Sequence, residues 1–147
     1  MIDLRGFGYS GGLRVFDTFK GLLSDIENLL RRCCQKGLPT YLLGHGFGSL
    51  LILALLEENP NLPISGVISM SPLFQFPCFR RIGVMGKILL YFLSKIWSYL
   101  LINNMINPTA LTNNPKKVKN CLDGVFNYQF ISISMATAHQ HLSEKTL

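Results

Sequence analysis

The sequence is poor in charge. Only 15% of its residues are Asp, Glu, Lys or Arg, against 48% hydrophobic, which excludes a disordered chain. It has four cysteines, Cys33, Cys34, Cys78 and Cys121, and none forms a C-x-x-C pair. That spacing argues against a zinc site and against a disulfide framework, and fits reduced, partly buried thiols. The first residues, MIDLRGFGYSGG, lack the apolar stretch of a secretory leader. No internal repeat or low-complexity tract is visible. Nor is there an uncharged apolar run of spanning length: Ile88 to Ile102 is fifteen residues and contains Lys95, where a membrane helix needs about 20.

What is present suits one domain of 147 residues with a formal charge of +6. The basic residues are scattered: Arg31-Arg32, Arg80-Arg81 and Lys116-Lys117-Lys119. This charge allows mild attraction to anionic membrane surfaces. No nucleic-acid recognition motif accompanies it, so no nucleic-acid partner is expected.

Met1 to Leu4 reads as the end of a strand, and Arg5 to Gly12 as a glycine-rich loop. From Phe16 the period becomes helical. Phe19, Leu22, Leu23, Ile26, Leu29, Leu30 and Cys33 form one apolar stripe. Asp17 or Thr18 can cap the start, while Gly37 and Pro39 stop the far end. Thr40 to Leu43 reads as a strand, Phe47 to about Glu58 as a helix broken by Asn59-Pro60, and Ile64 to Ser69 as a further strand. Strand, helix, strand, helix, strand predicts an α/β fold with a parallel sheet flanked by helices. Ile82 to Ile106 is strongly apolar, with Lys87, Tyr91, Ser94, Lys95 and Ser98 on a narrow stripe. It reads as a cap helix or an interfacial helix, with a buried core helix as the alternative. Asn113 to Asn120 reads as a basic surface segment. Residues 126 to 142 are weakly patterned and suggest a last helix.

The residues most charged with chemical meaning are Gly44-His45-Gly46-Phe47-Gly48. An apolar strand enters this turn and an apolar helix leaves it. In that context G-x-S-x-G presents a catalytic serine. Here the outer glycines stand and the central serine is Gly46. Glycine adopts the positive φ of such a turn without steric cost, so the turn is expected to persist. The amide of Phe47 would still point toward an oxyanion position, at a helix N-terminus able to meet an anion.

Other residues do not replace the nucleophile. Ser10 lies in Gly8-Tyr9-Ser10-Gly11-Gly12, which matches G-x-S-x-G but lacks the strand before it and the helix after it. Ser49 would be rotated about 300° from position 46 on the helix and suits close packing. His139 and His141, two apart, read as surface histidines and are poorly spaced for a shared metal. Asp3, Asp17, Asp25, Glu27, Glu57, Glu58 and Asp123 fall at element ends, on polar faces or, for Asp123, in a loop before Gly124. No nucleophile, base and orienter come together. No metal and no cofactor are expected.

Asp3-Leu4-Arg5-Gly6, Gly8-Tyr9-Ser10-Gly11-Gly12, Leu43-Gly44-His45-x-x-Gly48, Ser71-Pro72 and the following apolar insert together resemble the monoglyceride-lipase branch of the α/β-hydrolases, the serine-aminopeptidase-like lysophospholipase group. The resemblance runs over nearly the whole chain and weakens after about Ile82. It implies a partial α/β-hydrolase fold: core at 1–75, cap insert at 76–125, and a segment returning to the core at 126–147. It also implies serine hydrolysis of acylglycerol or lysophospholipid esters. Ile88, Leu89, Phe92, Leu93, Ile96, Trp97 and Leu100 would be the lipid-facing cap residues. Members of the group carry further strands before D-x-R-G, with an oxyanion loop, and further strands after the cap, with the triad Asp and His. None of these has a counterpart in this sequence. The expectation is therefore a catalytically inactive member that meets a lipid or acyl-ester ligand. The alternative is a non-catalytic binder of lipid or of a membrane surface. Either would be cytoplasmic, with peripheral membrane contact open. A sheet with exposed edges is further expected to be marginally stable or to self-associate.

Overall fold

Thr18 opens α1 (Phe19–Cys33) in a computed structural model that describes residues 2–12, 18–35, 37–75, 82–103, 106–124 and 129–146, the last six by backbone alone. Its Oγ1 accepts from the Gly21 amide at 3.1 Å, satisfying one of the helix's open first-turn donors. The alternative cap, Asp17, and the expected start at Phe16 lie outside the described residues. Phe19, Leu22, Leu23, Ile26 and Leu30 of the stripe are buried. Cys33, also expected on it, is exposed, because it is the last residue of α1 and the core ends before it. Arg31 and Arg32 close the helix where cations oppose the macrodipole favourably.

After a turn at Gly37 the chain enters β1 (Tyr41–His45), α2 (Phe47–Glu58) and β2 (Gly66–Met70). β1 and β2 are parallel, with Tyr41 opposite Gly66, Leu43 opposite Ile68 and His45 opposite Met70. α2 is apolar nearly all round, as a helix covered on two sides must be. It packs on α1 and on the sheet, burying Leu50, Leu51, Ile52, Ala54 and Leu55. The approach to β1 is close because Gly44 has no side chain. A Cβ there would lie 2.7 Å from the Ser49 Cα. The other face of the sheet is bare: Tyr41, Leu43, Ile68 and Met70 all project from it and are exposed. These elements, with the C-terminal part of the last helix, form a compact unit of residues 17–75 and 138–147.

Residues 1–16 and 76–137 form the other unit. Ile2 to Leu4 is not a strand. The segment is held as a loop instead: Asp3 Oδ2 accepts from the Tyr9 amide at 3.0 Å, and Ser10 Oγ donates to the Asp3 carbonyl at 2.7 Å. The parallel sheet among the described residues is thus two-stranded. The expected long helix over Ile82–Ile106 is also corrected. α3 spans Val84–Ile96 only, closing at Trp97. Leu101–Asn103 is β3, antiparallel to β4 (Phe130–Ser132). The Ile133 amide extends this ladder to the Leu100 carbonyl at 2.8 Å. A distant strand partner overrides local helical character here. α4 (Pro108–Leu111) and α5 (Pro115–Asp123) follow β3, each with an asparagine N-cap and proline at its start. The basic segment is therefore a helix, and Asp123 is its last residue rather than a loop residue. α6 (Ile133–Thr146) supplies the predicted final helix.

Candidate functional site

The strand–turn–helix joint between β1 and α2 is built by Gly46. Its backbone stands at φ 57° and ψ −118°, a positive-φ conformation outside the wells of an L residue, which costs a side chain about 1–3 kcal/mol and glycine nothing. The Gly46 amide donates to the Met70 carbonyl at 3.0 Å, and its carbonyl accepts from the Leu73 amide at 3.0 Å. A Cβ added at Gly46 would meet no atom within 4 Å. The strand–turn–helix joint therefore leaves open space where a side chain at position 46 would project. Gly46 gives α2 no capping side chain, so the Phe47 amide begins the helix with an uncapped positive end.

Ser49 is fully buried behind this turn. Its hydroxyl donates to the Gly44 carbonyl at 2.8 Å and accepts from the Met70 amide at 3.0 Å, with Ser69 Oγ at 3.0 Å. Its proton and both lone pairs are committed, and it ties β1, β2 and α2 together. A group so engaged is no nucleophile. Ser10 is held by Asp3 in the loop described above, with no strand leading into it among the described residues. Ser71 went unremarked in the sequence except as part of Ser-Pro. It has φ 45°, the one positive φ at a non-glycine among the described residues, and it follows Met70 directly. The Ser-Pro dipeptide was the available signal, since proline disfavours the α region at the preceding residue.

His139 corrects the expectation of a surface histidine. It is fully buried. Its ring stacks on Phe47, with centroids 5.8 Å apart and planes at 24°, and Phe19 meets Phe47 edge-on at 5.9 Å. Nε2 lies 2.6 Å from the Leu73 carbonyl, so it carries the proton and donates. Burial pushes the His139 pKa down to about 4, with the Leu73 hydrogen bond opposing part of the fall. Leu73 thus links the two: its amide serves Gly46 and its carbonyl serves His139. His139 buttresses the elbow and is not placed to act as its base. The missed signal was spacing: Met135, Ala136 and His139 share one helical face. Of the other elbow residues, Gly44 is buried, Gly48 is half-buried, and His45 is exposed on the bare sheet face. His141 has no described side chain. No group of metal ligands occurs among the described residues.

The residues expected to form a cap lie mostly on α3. Ile88, Leu89, Phe92 and Ile96, Trp97 at the helix end and Leu100 beyond it are between 44% and 78% exposed. Leu93 is half-buried. The polar stripe is the more covered side: Ser94 is buried and donates to the Tyr91 carbonyl at 2.7 Å. The buried-core alternative for this helix does not hold, because a core helix hides the residues that this one presents.

With this geometry in hand, known proteins can be compared. The family model described as serine aminopeptidase, S33, matches residues 1–143. An abhydrolase domain-containing protein of Dictyostelium discoideum is 30% identical over 99% of this chain and 15% of its own length. The monoglyceride lipase homolog of monkeypox virus is 26% identical over 87% of this chain and 43% of its own. Two crystal structures share the fold. The Paleococcus ferrophilus monoacylglycerol lipase superposes with a TM-score of 0.82 at 24% identity, over 98% of this chain and 54% of that one. A soluble variant of Saccharomyces cerevisiae monoglyceride lipase, in complex with a substrate analog, gives 0.75 at 20% identity, over 97% and 49%. The chain spans about half the length of these structures, and less of the two sequence relatives.

Proposed function

The chain belongs to the serine aminopeptidase S33 family, with the α/β-hydrolase fold of monoglyceride lipases over part of their length, and on that premise we propose that it keeps the family's nucleophile elbow but performs no ester hydrolysis there. The observation that carries this is Gly46. It holds the central elbow position, in left-handed backbone, between the strand and helix that would aim a serine. Removing the nucleophile alone costs about a million-fold in kcat where measured. The Phe47 amide keeps its place as a donor for an ester or carboxylate oxygen, so binding without turnover is the expected behaviour. The ligand class is a lipid or acyl ester. We carry the division into core 1–75, cap 76–125 and returning segment 126–147 as part of this proposal.

A fluorophosphonate probe followed by peptide mapping tests it. No serine of the folded chain should be labelled. Labelling of Ser10, Ser49 or Ser71 would overturn the proposal by revealing a displaced nucleophile.

A second reading, a non-catalytic binder at a lipid surface, is favoured by the exposed apolar residues of α3. No helix among the described residues is long and apolar enough to cross a membrane, so contact would be peripheral, through one helix face. Co-sedimentation with anionic liposomes at low salt supports this reading, and its absence removes it. The bare face of the β1–β2 sheet adds a route to self-association, read by sedimentation velocity as species above 16.5 kDa.

A further inference from the structure

The end of α1 carries chemistry that neither the elbow nor α3 uses. Arg31-Arg32-Cys33-Cys34-Gln35-Lys36 places two adjacent cysteines among cations, and from Asn28 to Leu56 the sequence has no Asp or Glu. Arg31 is paired with Glu27 one turn back. That leaves Arg32, which is exposed, directly before the cysteines and Lys36 after them in the sequence.

The structure sets both thiols at the helix terminus. Cys33 is the last residue of α1 and is exposed, while Cys34 is the C-cap, in extended backbone, and is half-buried. The Cys34 amide closes the helix on the Leu30 carbonyl at 2.8 Å. Cys33 therefore continues the apolar side of α1 past the edge of the core. The chain then turns back, the Leu38 amide donating to the Gln35 carbonyl at 3.3 Å, and Leu38 is 63% exposed. An uncovered thiol, an uncovered leucine and an uncovered arginine thus share one short stretch. Free cysteine is among the most buried residue types, and where it is not, its reactivity explains its presence better than packing does. Two familiar uses of paired thiols do not fit. Neighbouring Cα atoms about 3.8 Å apart lie below the usual span of a disulfide. A structural zinc wants four ligands, and no group of three forms among the described residues.

We propose that Cys33, with Cys34 as a second acceptor, is a site of S-acylation by a long-chain acyl-coenzyme A. Cys33 Sγ attacks the thioester carbonyl of the donor. A carbon–sulfur bond to the protein forms, the carbon–sulfur bond to coenzyme A breaks, and the departing thiolate takes the proton that Cys33 gave up. No oxidant or reductant is consumed. The chain so attached enters a bilayer at the end of α1, with Leu38 at the interface and Arg32 and Lys36 toward anionic head groups. A single acyl chain holds a protein only reversibly, and neighbouring cations or a second chain make the anchor stable. This segment offers both. The site is separate from the elbow and from α3, and it stands whether or not α3 meets a membrane.

Labelling eukaryotic cells that produce the full chain with an alkynyl palmitate analogue tests this. The purified chain should carry label that neutral hydroxylamine releases, since hydroxylamine cleaves thioesters and spares oxyesters and amides. Cys33→Ser/Cys34→Ser should lose the label and shift from the membrane fraction to the soluble one. Cys121→Ser on α5 should keep the parent's label. Circular dichroism confirms that each variant is folded, and Cys33→Ala/Cys34→Ala replaces a serine pair that is not. A parent chain without label, a label that resists hydroxylamine, or equal labelling of the parent and the double variant would overturn the proposal.

Discussion

The β1–α2 turn and α3 treat their side chains in opposite ways. Around Gly46 the polar groups are tied to one another: Ser49 holds three backbone or hydroxyl groups, and Leu73 joins Gly46 to His139. Along α3, Ser94 is covered while Ile88, Leu89, Phe92 and Ile96 face outward. The first region is an element whose own sequence satisfies it. The second has an apolar surface that its own unit leaves uncovered. The comparison teaches that glycine at position 46 is compatible with a tightly hydrogen-bonded turn, whereas α3 presents a largely exposed apolar face.

The sharpest way to break this comparison is at Gly44. Gly44→Val places atoms within 3 Å of the Ser49 backbone, which no side-chain rotation relieves. We expect a loss of more than about 3 kcal/mol, beyond the usual range for overpacking, read as loss of a cooperative thermal melt. A variant that melts with the parent would show that the elbow is not tightly packed.

His139 gives the next largest effect, through pH. Its folded pKa of about 4 lies below the ordinary value of 6.5. Between these values the unfolded chain takes up a proton that the folded chain refuses, so stability falls as pH drops from 6.5 to 4 and then levels. At about 1.4 kcal/mol per unit, the loss is roughly 3 kcal/mol. Urea melts across that window should show it in the parent and not in His139→Phe, which keeps the stack on Phe47. Parallel profiles would contradict the burial described here.

Gly46→Ser should cost about 1–3 kcal/mol, the strain of a sparsely populated positive-φ backbone, and no more, because a Cβ meets nothing within 4 Å. A much larger loss in a chemical melt would mean that the space is not open. The smallest effect on stability belongs to the cap. Phe92→Glu on the exposed face of α3 should change stability by no more than about 0.5 kcal/mol, yet reduce co-sedimentation with anionic liposomes. A large destabilisation would place that face in a core.

The legible parts of this molecule were those whose pattern is local. α1 shows its stripe, Gly37 and Pro39 mark its end, and α2 follows the Gly-His-Gly-Phe-Gly turn as expected. The turn was readable because glycines at 44 and 46 answer specific backbone demands, a close approach and a positive φ. What escaped depended on distant partners. α3 stops at Ile96 although the apolar run continues, since Leu101–Asn103 finds β4 about thirty residues later in the sequence. Ile2–Leu4 has strand composition but is held as a loop by Asp3. His139 looked exposed because its helix carries polar residues on many sides, and only the packing of Phe47 reveals its buried face. The role of Ser49 as a hydrogen-bond hub was likewise invisible, although its position after the turn suggested close packing.

The central claim is that an intact elbow without its serine yields no turnover. Release of oleate from 1-oleoylglycerol by the folded, purified chain measures it directly. The account predicts a rate indistinguishable from buffer. A rate above buffer that disappears on fluorophosphonate treatment and on substitution of a single serine would contradict it.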